Sequence, residues 1–269
     1  LLVDDASDNS EYAELPLNIR IIRNNKNLGY VNSVNIGFAA SSADVVLLLD
    51  SDAYPKMDLT AKVCEEFLSQ PDLGALGFYL VDEKGQATGS SSPDPSWVEL
   101  LLGQRLGDIY GRYVKNSPTV LMNLHSCAIA VRREAFESVG GFDANFDFLD
   151  ADIDFSMRLR QKGWRLGSES KLVVFHKGGG SFQKTSTRVV RHHINRWRLL
   201  NKHGKLRWPR LLKLGLILRH STELILFWLA RPLMINSKDI LKDKLEGRRV
   251  LLKTVWSGYG NDCERLTIL

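Results

Sequence analysis

Over the first two-thirds of the chain, short runs of consecutive apolar residues alternate with stretches whose apolar positions recur every three or four residues. That alternation is the pattern of an α/β fold. The apolar runs predict strands at Leu1–Val3, Ile19–Arg23, Val45–Leu49, Ala75–Leu80, Ser126–Val131 and Leu172–Phe175. Val45–Leu49 holds no polar residue, as expected of a strand covered on both faces. The amphipathic stretches predict helices at Tyr30–Ala40, Leu59–Ser69, Ser96–Leu101, Arg133–Val139 and Asp152–Lys162. Gly140-Gly141 stops the fourth of these and Gly163 the fifth, because glycine accepts the left-handed conformation in which many helices end. The segment Asp82–Asp94, with Gly85, Gly89 and Pro93, predicts a loop.

From about Thr185 the pattern changes. Between Ser170 and Thr222 there is no Asp or Glu, while thirteen Lys or Arg occur, eleven of them from Lys184 to Arg219. Leu211–Met234 is then strongly apolar but interrupted by Lys213, Arg219, His220, Glu223 and Arg231. Those charges argue against a bilayer span. Two readings stay open: a helix lying in an anionic membrane interface, or a basic helical cap with its Leu and Ile packed on the α/β core. On this division the α/β domain covers 1–205 and a basic amphipathic tail covers 206–269.

Composition narrows the class. A chain of 269 residues, 44% hydrophobic and 25% charged, can bury a core and is neither disordered nor collagen-like. Cys64, Cys127 and Cys263 form no CxxC pair, so a cysteine-based zinc site is disfavoured and a reducing compartment is expected. The opening Leu1-Leu2-Val3 is an apolar strand with neither Met nor a signal-peptide pattern, and reads as the interior of a longer protein.

The residues suited to chemistry sit at strand ends and at one helix start. Asp50-Ser51-Asp52 leaves the all-apolar strand at its carboxyl end, where open α/β sheets bind ligands. Two carboxylates at this spacing repel unless a cation or sugar hydroxyls share them. They can hold Mg²⁺ or Mn²⁺ with substrate phosphates, or only cap a turn. Asp4-Asp5-Ala6-Ser7 follows another strand, where a carboxylate can accept from a base N–H or a ribose hydroxyl, or form an Asx turn. Asp150, Asp152 and Asp154 open a helix, and capping accounts for at least one of them. A carboxylate fixed there beside a cleft can act as general base if desolvation or a nearby anion offsets the acidifying helix terminus. His176 leaves a strand into Lys177-Gly178-Gly179-Gly180-Ser181, as a metal ligand beside phosphate-binding N–H groups or as an exposed loop residue. No Walker, Gly-x-Ser-x-Gly or His-Glu-x-x-His pattern occurs.

In their order, these segments resemble the family-2 glycosyltransferases, inverting enzymes of the GT-A fold, from Val3 to roughly Lys205. The resemblance implies a Rossmann-like nucleotide-binding mixed sheet flanked by helices, with the basic helical tail behind it. Val3-Asp4-Asp5-Ala6-Ser7 is similar to the family's nucleotide-binding strand end, with Asp4 on the base. Asn24 to Tyr30, with Asn35-Ile36-Gly37, matches a donor-side Asn-x-Gly pair and implies Asn27, Gly29 and Asn35. Leu49-Asp50-Ser51-Asp52 matches the DxD motif, which implies Asp50 and Ser51 on the donor and Asp52 on the metal. Arg132-Arg133 through Gly140-Gly141-Phe142-Asp143 matches an acceptor-side segment, to which Asp154 and Trp164 also belong. Asp152 falls on the catalytic base, and His176 with Gly178–Ser181 on the stretch near metal and diphosphate. The sequence departs from the family in three ways. It lacks the strand and helix that usually precede this point, has Ala151 where Glu is frequent, and has Ser126, beside His125, where Gly is frequent.

The resemblance implies transfer of a sugar from a UDP- or dTDP-sugar to a hydroxyl of a glycan or lipid-linked acceptor, with Mn²⁺ or Mg²⁺ as cofactor. Bacterial polysaccharide-assembling and rhamnosyl-transferring members are the nearest in kind. The expected location is cytoplasmic, peripheral on the inner face of the cell membrane, with an anionic membrane surface as partner and no nucleic acid. Two rivals come from other classes: a sugar nucleotidyltransferase using the same crevice, and a non-catalytic binder of anionic lipid or nucleic acid resting on the basic stretch alone.

Overall fold

The computed structural model describes residues 1–7, 18–103, 106–107, 109, 122–178, 185–233 and 238–259. Gly179, Gly180, Ser181 and Cys263 of the sequence reading lie outside them. Packing divides the chain into two units. One is Leu1–Asp94 with Leu121–Gly180, and the other is Pro95–Val120 with Ser181–Leu269.

The first unit runs β1 (Leu2–Asp4), β2 (Ile21–Arg23), α1 (Tyr30–Ala40), β3 (Val45–Leu49), β4 (Ala53–Pro55), α2 (Thr60–Ser69), β5 (Leu73–Val81) and β6 (Ser91–Pro93). It resumes at β7 (Met122–Leu124), β8 (Ala128–Arg132), α4 (Arg133–Ser138), α5 (Ala151–Gln161) and β9 (Arg165–His176). Its main sheet has the order β3-β8-β5-β9-β4. It is mixed: β5 and β9 are parallel, and the other ladders are antiparallel. β1 and β2 form a separate parallel pair, and β6 with β7 a short antiparallel one.

The strand covered on both faces is β5, buried along almost its whole length at the middle of the sheet. Phe78 and Leu80 of β5, Ala130 of β8 and Val174 of β9 pack with Val63 and Phe67 of α2. β3, expected to be covered on both faces, is different. Among the described residues its one ladder is to β8, and Leu47 is 40% exposed. An apolar run alone does not distinguish a central strand from an edge. Two further departures have local causes. β9 begins at Arg165 rather than Leu172, because the mostly polar Arg165–Glu169 pairs with β5. The segment read as a loop contains β6, whose Pro93 disguises it.

The second unit is helical: α3 (Trp97–Leu102), α6 (Thr185–Lys202), α7 (Pro209–Leu229), a 3₁₀ turn (Arg231–Leu233) and α8 (Lys238–Ser257). Pro209 starts α7, where its missing N–H costs nothing. Leu100, Trp197, Leu200, Leu212, Leu216 and Val255 form one core cluster, and Val190, Ile194 and Leu251 another. Glu223 of α7 ties the helices, meeting Arg219 at 2.9 Å and the Arg248 guanidinium of α8. Burial would raise the Glu223 carboxyl, but His220, Arg219 and Arg248 together hold it far below the usual carboxylate range. Among the described residues no helix is long and apolar enough to cross a membrane.

Candidate active site

The sheet register builds the site. β3 ends at Leu49, and Asp50 donates its N–H to the Cys127 carbonyl at 2.9 Å, just before β8. A turn at Ser51-Asp52 leads into β4, whose Ala53 pairs directly with His176, the last residue of β9. The Lys177 N–H closes the corner on the Asp52 carbonyl at 3.1 Å. His176 Nε2 therefore lies 3.4 Å from Asp52 Oδ1 and 3.9 Å from Asp50 Oδ2. One ligand atom from each of the three side chains falls within 4.8 Å of the others. Burial raises the Asp50 carboxyl, His176 lowers it, Asp52 raises it again, and a hydrogen bond from Tyr30 lowers it. The balance is upward, with burial the largest cause.

Tyr30 links this cluster to α5. Its hydroxyl lies 2.9 Å from Ser126 Oγ and 3.2 Å from the Ser126 carbonyl. Burial first, then the charges of Asp50 and Asp152, keep the phenol far above its ordinary value and therefore neutral. Burial, and after it the same two carboxylates, push the Cys127 thiol up to about 12, so it offers no thiolate nucleophile. Asp152 stands in the first turn of α5, accepting from the Ile153 N–H at 2.8 Å. Burial pushes its carboxyl up to about 6. His125 pulls it down, Asp150 pushes it further up, and the N–H groups of Ile153 and Ser126 favour the anion. Desolvation has thus offset the acidifying helix start. Asp150, before it, holds a left-handed backbone with φ of 64° and makes no side-chain cap.

The residues read in sequence as nucleotide-side gather around a neighbour that was given no role there. Asp5 accepts from the Asn24 amide, the Leu28 N–H and the Gly29 N–H, each at 2.8 Å. Burial would raise its carboxyl, yet these donors and Ser33 hold it low. Asp5 so fixes the loop carrying Asn27, whose Oδ1 accepts from the Gly29 N–H at 3.1 Å. Gly29, with φ of 83°, allows the chain to enter α1. Asp4 is nearly buried, taking the Ser7 N–H at 3.0 Å and facing Arg23 at 3.5 Å.

Other residues singled out in sequence stand elsewhere. Arg132 lies five residues along β8 from Cys127, about 16 Å away at strand spacing. It donates to the carbonyls of Leu73, Phe67 and Gln70, while Arg133 donates to those of Ala43 and Phe38. Trp164, at the same end of the sheet, donates to Ser138 Oγ at 2.9 Å. Asp154 is fully buried against Arg158 at 2.6 Å, and Arg158 in turn holds the Val139 and Gly141 carbonyls. Asn35 exchanges two hydrogen bonds with the Phe142 backbone, bracing a turn where Gly141 has φ of 74°.

The sequence model of glycosyl transferase family 2 matches residues 1–140, more than half of the chain. The chain belongs to glycosyl transferase family 2. Its fold is the GT-A fold. One relative is the N-acetylglucosaminyl-diphospho-decaprenol L-rhamnosyltransferase of Mycobacterium tuberculosis, 26% identical over 198 residues. The match covers 65% of this chain and 64% of that protein, so the chain spans just under two thirds of its length. A pre-mycofactocin glycosyltransferase of the same organism is 25% identical over 180 residues, covering 65% of this chain and 37% of the relative. Among solved structures, GalNAc-T7 with UDP, GalNAc and Mn²⁺ aligns with a TM-score of 0.53 at 16% identity, over 74% of this chain and 42% of that one. That is a likeness of fold.

Within this family-2 chain, Asn35 offers a test that separates bracing from donor contact. Asn35→Ala removes two hydrogen bonds from the Phe142 backbone and is expected to cost about 1–3 kcal/mol of stability. Thermal unfolding should fall accordingly while nucleotide affinity, measured by titration below the transition, stays within a factor of two to three. A selective loss of nucleotide affinity at unchanged stability would place Asn35 on the donor. The residues missed in sequence were Tyr30 and Asp5. Tyr30 reads as an ordinary helix-opening aromatic, and only the tertiary fold brings its hydroxyl to Ser126 in the turn before β8.

Proposed function

We propose that this family-2 member moves a sugar, with inversion, from a UDP- or dTDP-sugar to a hydroxyl of a glycan or lipid-linked acceptor. The observation that carries the reading is the joint cluster: Asp50, Asp52 and His176 at converging strand ends, with Asp152 in electrostatic reach of the same Tyr30 and Cys127. Asp152 takes the acceptor proton as that oxygen attacks from the face opposite the leaving diphosphate. A carboxyl near 6 is basic enough for this role and ionised at neutral pH.

Two carboxylates and an imidazole, converging within coordination reach, fit Mn²⁺ or Mg²⁺, with Asp52 and His176 as the protein ligands. When bound, the cation supplies neutralising charge for the departing diphosphate. Asp4, Asn27 and Gly29 hold the nucleotide on the loop that Asp5 fixes, and Asp50 with Ser51 faces the ribose side. The carbonyl contacts of Arg132 and Arg133, the Asp154–Arg158 pair and the Trp164–Ser138 bond support a bracing role for the residues first read as acceptor-side. All of the assigned residues lie within 1–205, the segment read as the transferase domain, with the tail 206–269 behind it.

The acceptor side of the proposal draws on the rhamnosyltransferase relative, whose name includes a diphospho-decaprenol carrier. It extends to a peripheral location on the cytoplasmic face of an anionic membrane. The test is a panel of nucleotide sugars with Mn²⁺ or Mg²⁺ and candidate acceptors, read as release of nucleoside diphosphate and as anomeric configuration by NMR. One donor should turn over in a metal-dependent way with inversion. Retention of configuration, or release of pyrophosphate from a nucleoside triphosphate, would overturn the reading.

A further inference from the structure

The helical unit carries a surface that the transferase chemistry does not use. α7 turns Leu212, Leu216 and His220 inward. Its opposite side presents Leu211, Leu214, Leu218, Ile225 and Leu229, which are between 56% and 66% exposed. At helical spacing these positions fall in one stripe roughly 27 Å long. No charged residue interrupts it. Trp208 and Trp228, also more than half exposed, stand near its two ends. Exposed Thr222 breaks it between Leu218 and Ile225. An apolar face of this length is rare on a freely soluble surface and marks an interaction site.

Beside the Trp208 end the surface is cationic. Arg207 and Arg210 are exposed there, in the stretch that has no acidic residue from Lys171 to Ser221, and the Arg207 guanidinium lies 5.2 Å over the Trp208 ring. α8 packs on the opposite side of α7, where Lys244 and Arg248 meet Phe227. An apolar stripe with tryptophans at its limits and cations beside one of them matches a helix lying in the plane of an anionic lipid interface. Among the described residues no helix is fit to cross a bilayer, so the surface rests on the membrane rather than spanning it.

We propose that the helical unit docks on an anionic lipid membrane through this face. The outer stripe of α7 sinks to the boundary between headgroups and acyl chains, and Arg207 and Arg210 meet lipid phosphates. This names the surface behind the peripheral location proposed above, and it stands independently of the donor chemistry.

The experiment is sedimentation of the full chain with vesicles of phosphatidylcholine alone or mixed with phosphatidylglycerol, at low and at high salt. Wild type is expected to pellet with the anionic vesicles at low salt and to be released at high salt. Leu214→Glu with Leu218→Glu should abolish pelleting. Arg207→Gln with Arg210→Gln should weaken it at least about tenfold and flatten its salt dependence, since each cation beside an anionic surface is worth about fivefold. All four positions are exposed, so both variants should keep wild-type circular dichroism and wild-type release of nucleoside diphosphate from the donor. Wild type that stays in the supernatant with anionic vesicles at low salt overturns the proposal. Equal binding to neutral vesicles overturns the phosphate contacts of Arg207 and Arg210. A wild-type dimer that the leucine variant converts to monomer, without vesicle binding, assigns the stripe to a second copy instead. Wild type that turns over donor but fails to bind anionic vesicles sinks this inference alone. Absent turnover with intact binding sinks only the transferase reading.

Discussion

Asp152→Asn should lower turnover by about 10²–10⁴-fold, the range contributed by a positioned base. The substitution is nearly isosteric and keeps an oxygen to accept the Ile153 N–H, so nucleotide affinity should survive. The pH profile adds a second readout. The base works ionised, and burial with Asp150 nearby pushes its carboxyl up to about 6. Wild-type kcat/KM should therefore rise as pH increases through about 6, and the variant should lose that limb. Stability moves the other way. A carboxyl whose folded value exceeds its unfolded one stabilises the fold below the unfolded value, and that contribution is lost as pH rises through about 6. At pH 7 the ionised, half-buried Asp152 is a cost of up to about 3 kcal/mol, at 1.36 kcal/mol per unit. The asparagine variant should melt at or above wild type at pH 7 and lose that advantage by pH 4. Near-wild-type turnover would remove Asp152 from the role.

Asp52→Ala should abolish the dependence of donor affinity on Mn²⁺ or Mg²⁺ and lower turnover by about 10²-fold, since charge neutralisation at a leaving diphosphate is worth several kcal/mol. His176 Nε2 is 3.4 Å from Asp52 Oδ1, and Asp50 is the third member of the group. Removing Asp52 leaves an imidazole and the half-buried Asp50, too few protein ligands to hold a hard cation well. A chelator should reproduce the effect in wild type and add nothing to the variant. Donor binding that keeps its full metal dependence in Asp52→Ala would reject the assignment. The two experiments are complementary: Asp152→Asn spares donor affinity and removes a proton acceptor, while Asp52→Ala changes the affinity itself.

Much of the α/β architecture was legible in the chain, because it depends on periodicities that local sequence carries. The apolar run Val45–Leu49 and the amphipathic stretch Tyr30–Ala40 coincide with β3 and α1. Elements whose stability comes from a partner were not legible. β4 is three residues including a proline, and it exists because Ala53–Pro55 pairs with Val174–His176. The first half of β9 is polar and is held by the ladder to β5.

The candidate site divides in the same way. Sequence alone determined which residues have the chemistry: carboxylates just past apolar strands, a histidine leaving a strand, three aspartates opening a helix, and a basic stretch without acids. Their types and spacing follow from the chain, since a carboxylate after a buried strand emerges at the strand's end whatever surrounds it. Only the tertiary structure decided which of them share one environment. Register set Ala53 opposite His176 and so drew Asp50, Asp52 and His176 together, while β8 carried Arg132 and Arg133 to the far end of the sheet. Burial, which no single segment encodes, raised Asp152 and left Asp154 neutralised by Arg158 one helical turn away. On α7 it separated the leucines that pack inward from those that remain exposed. A side chain's identity is local, but its dielectric surroundings and its partners are properties of the whole fold.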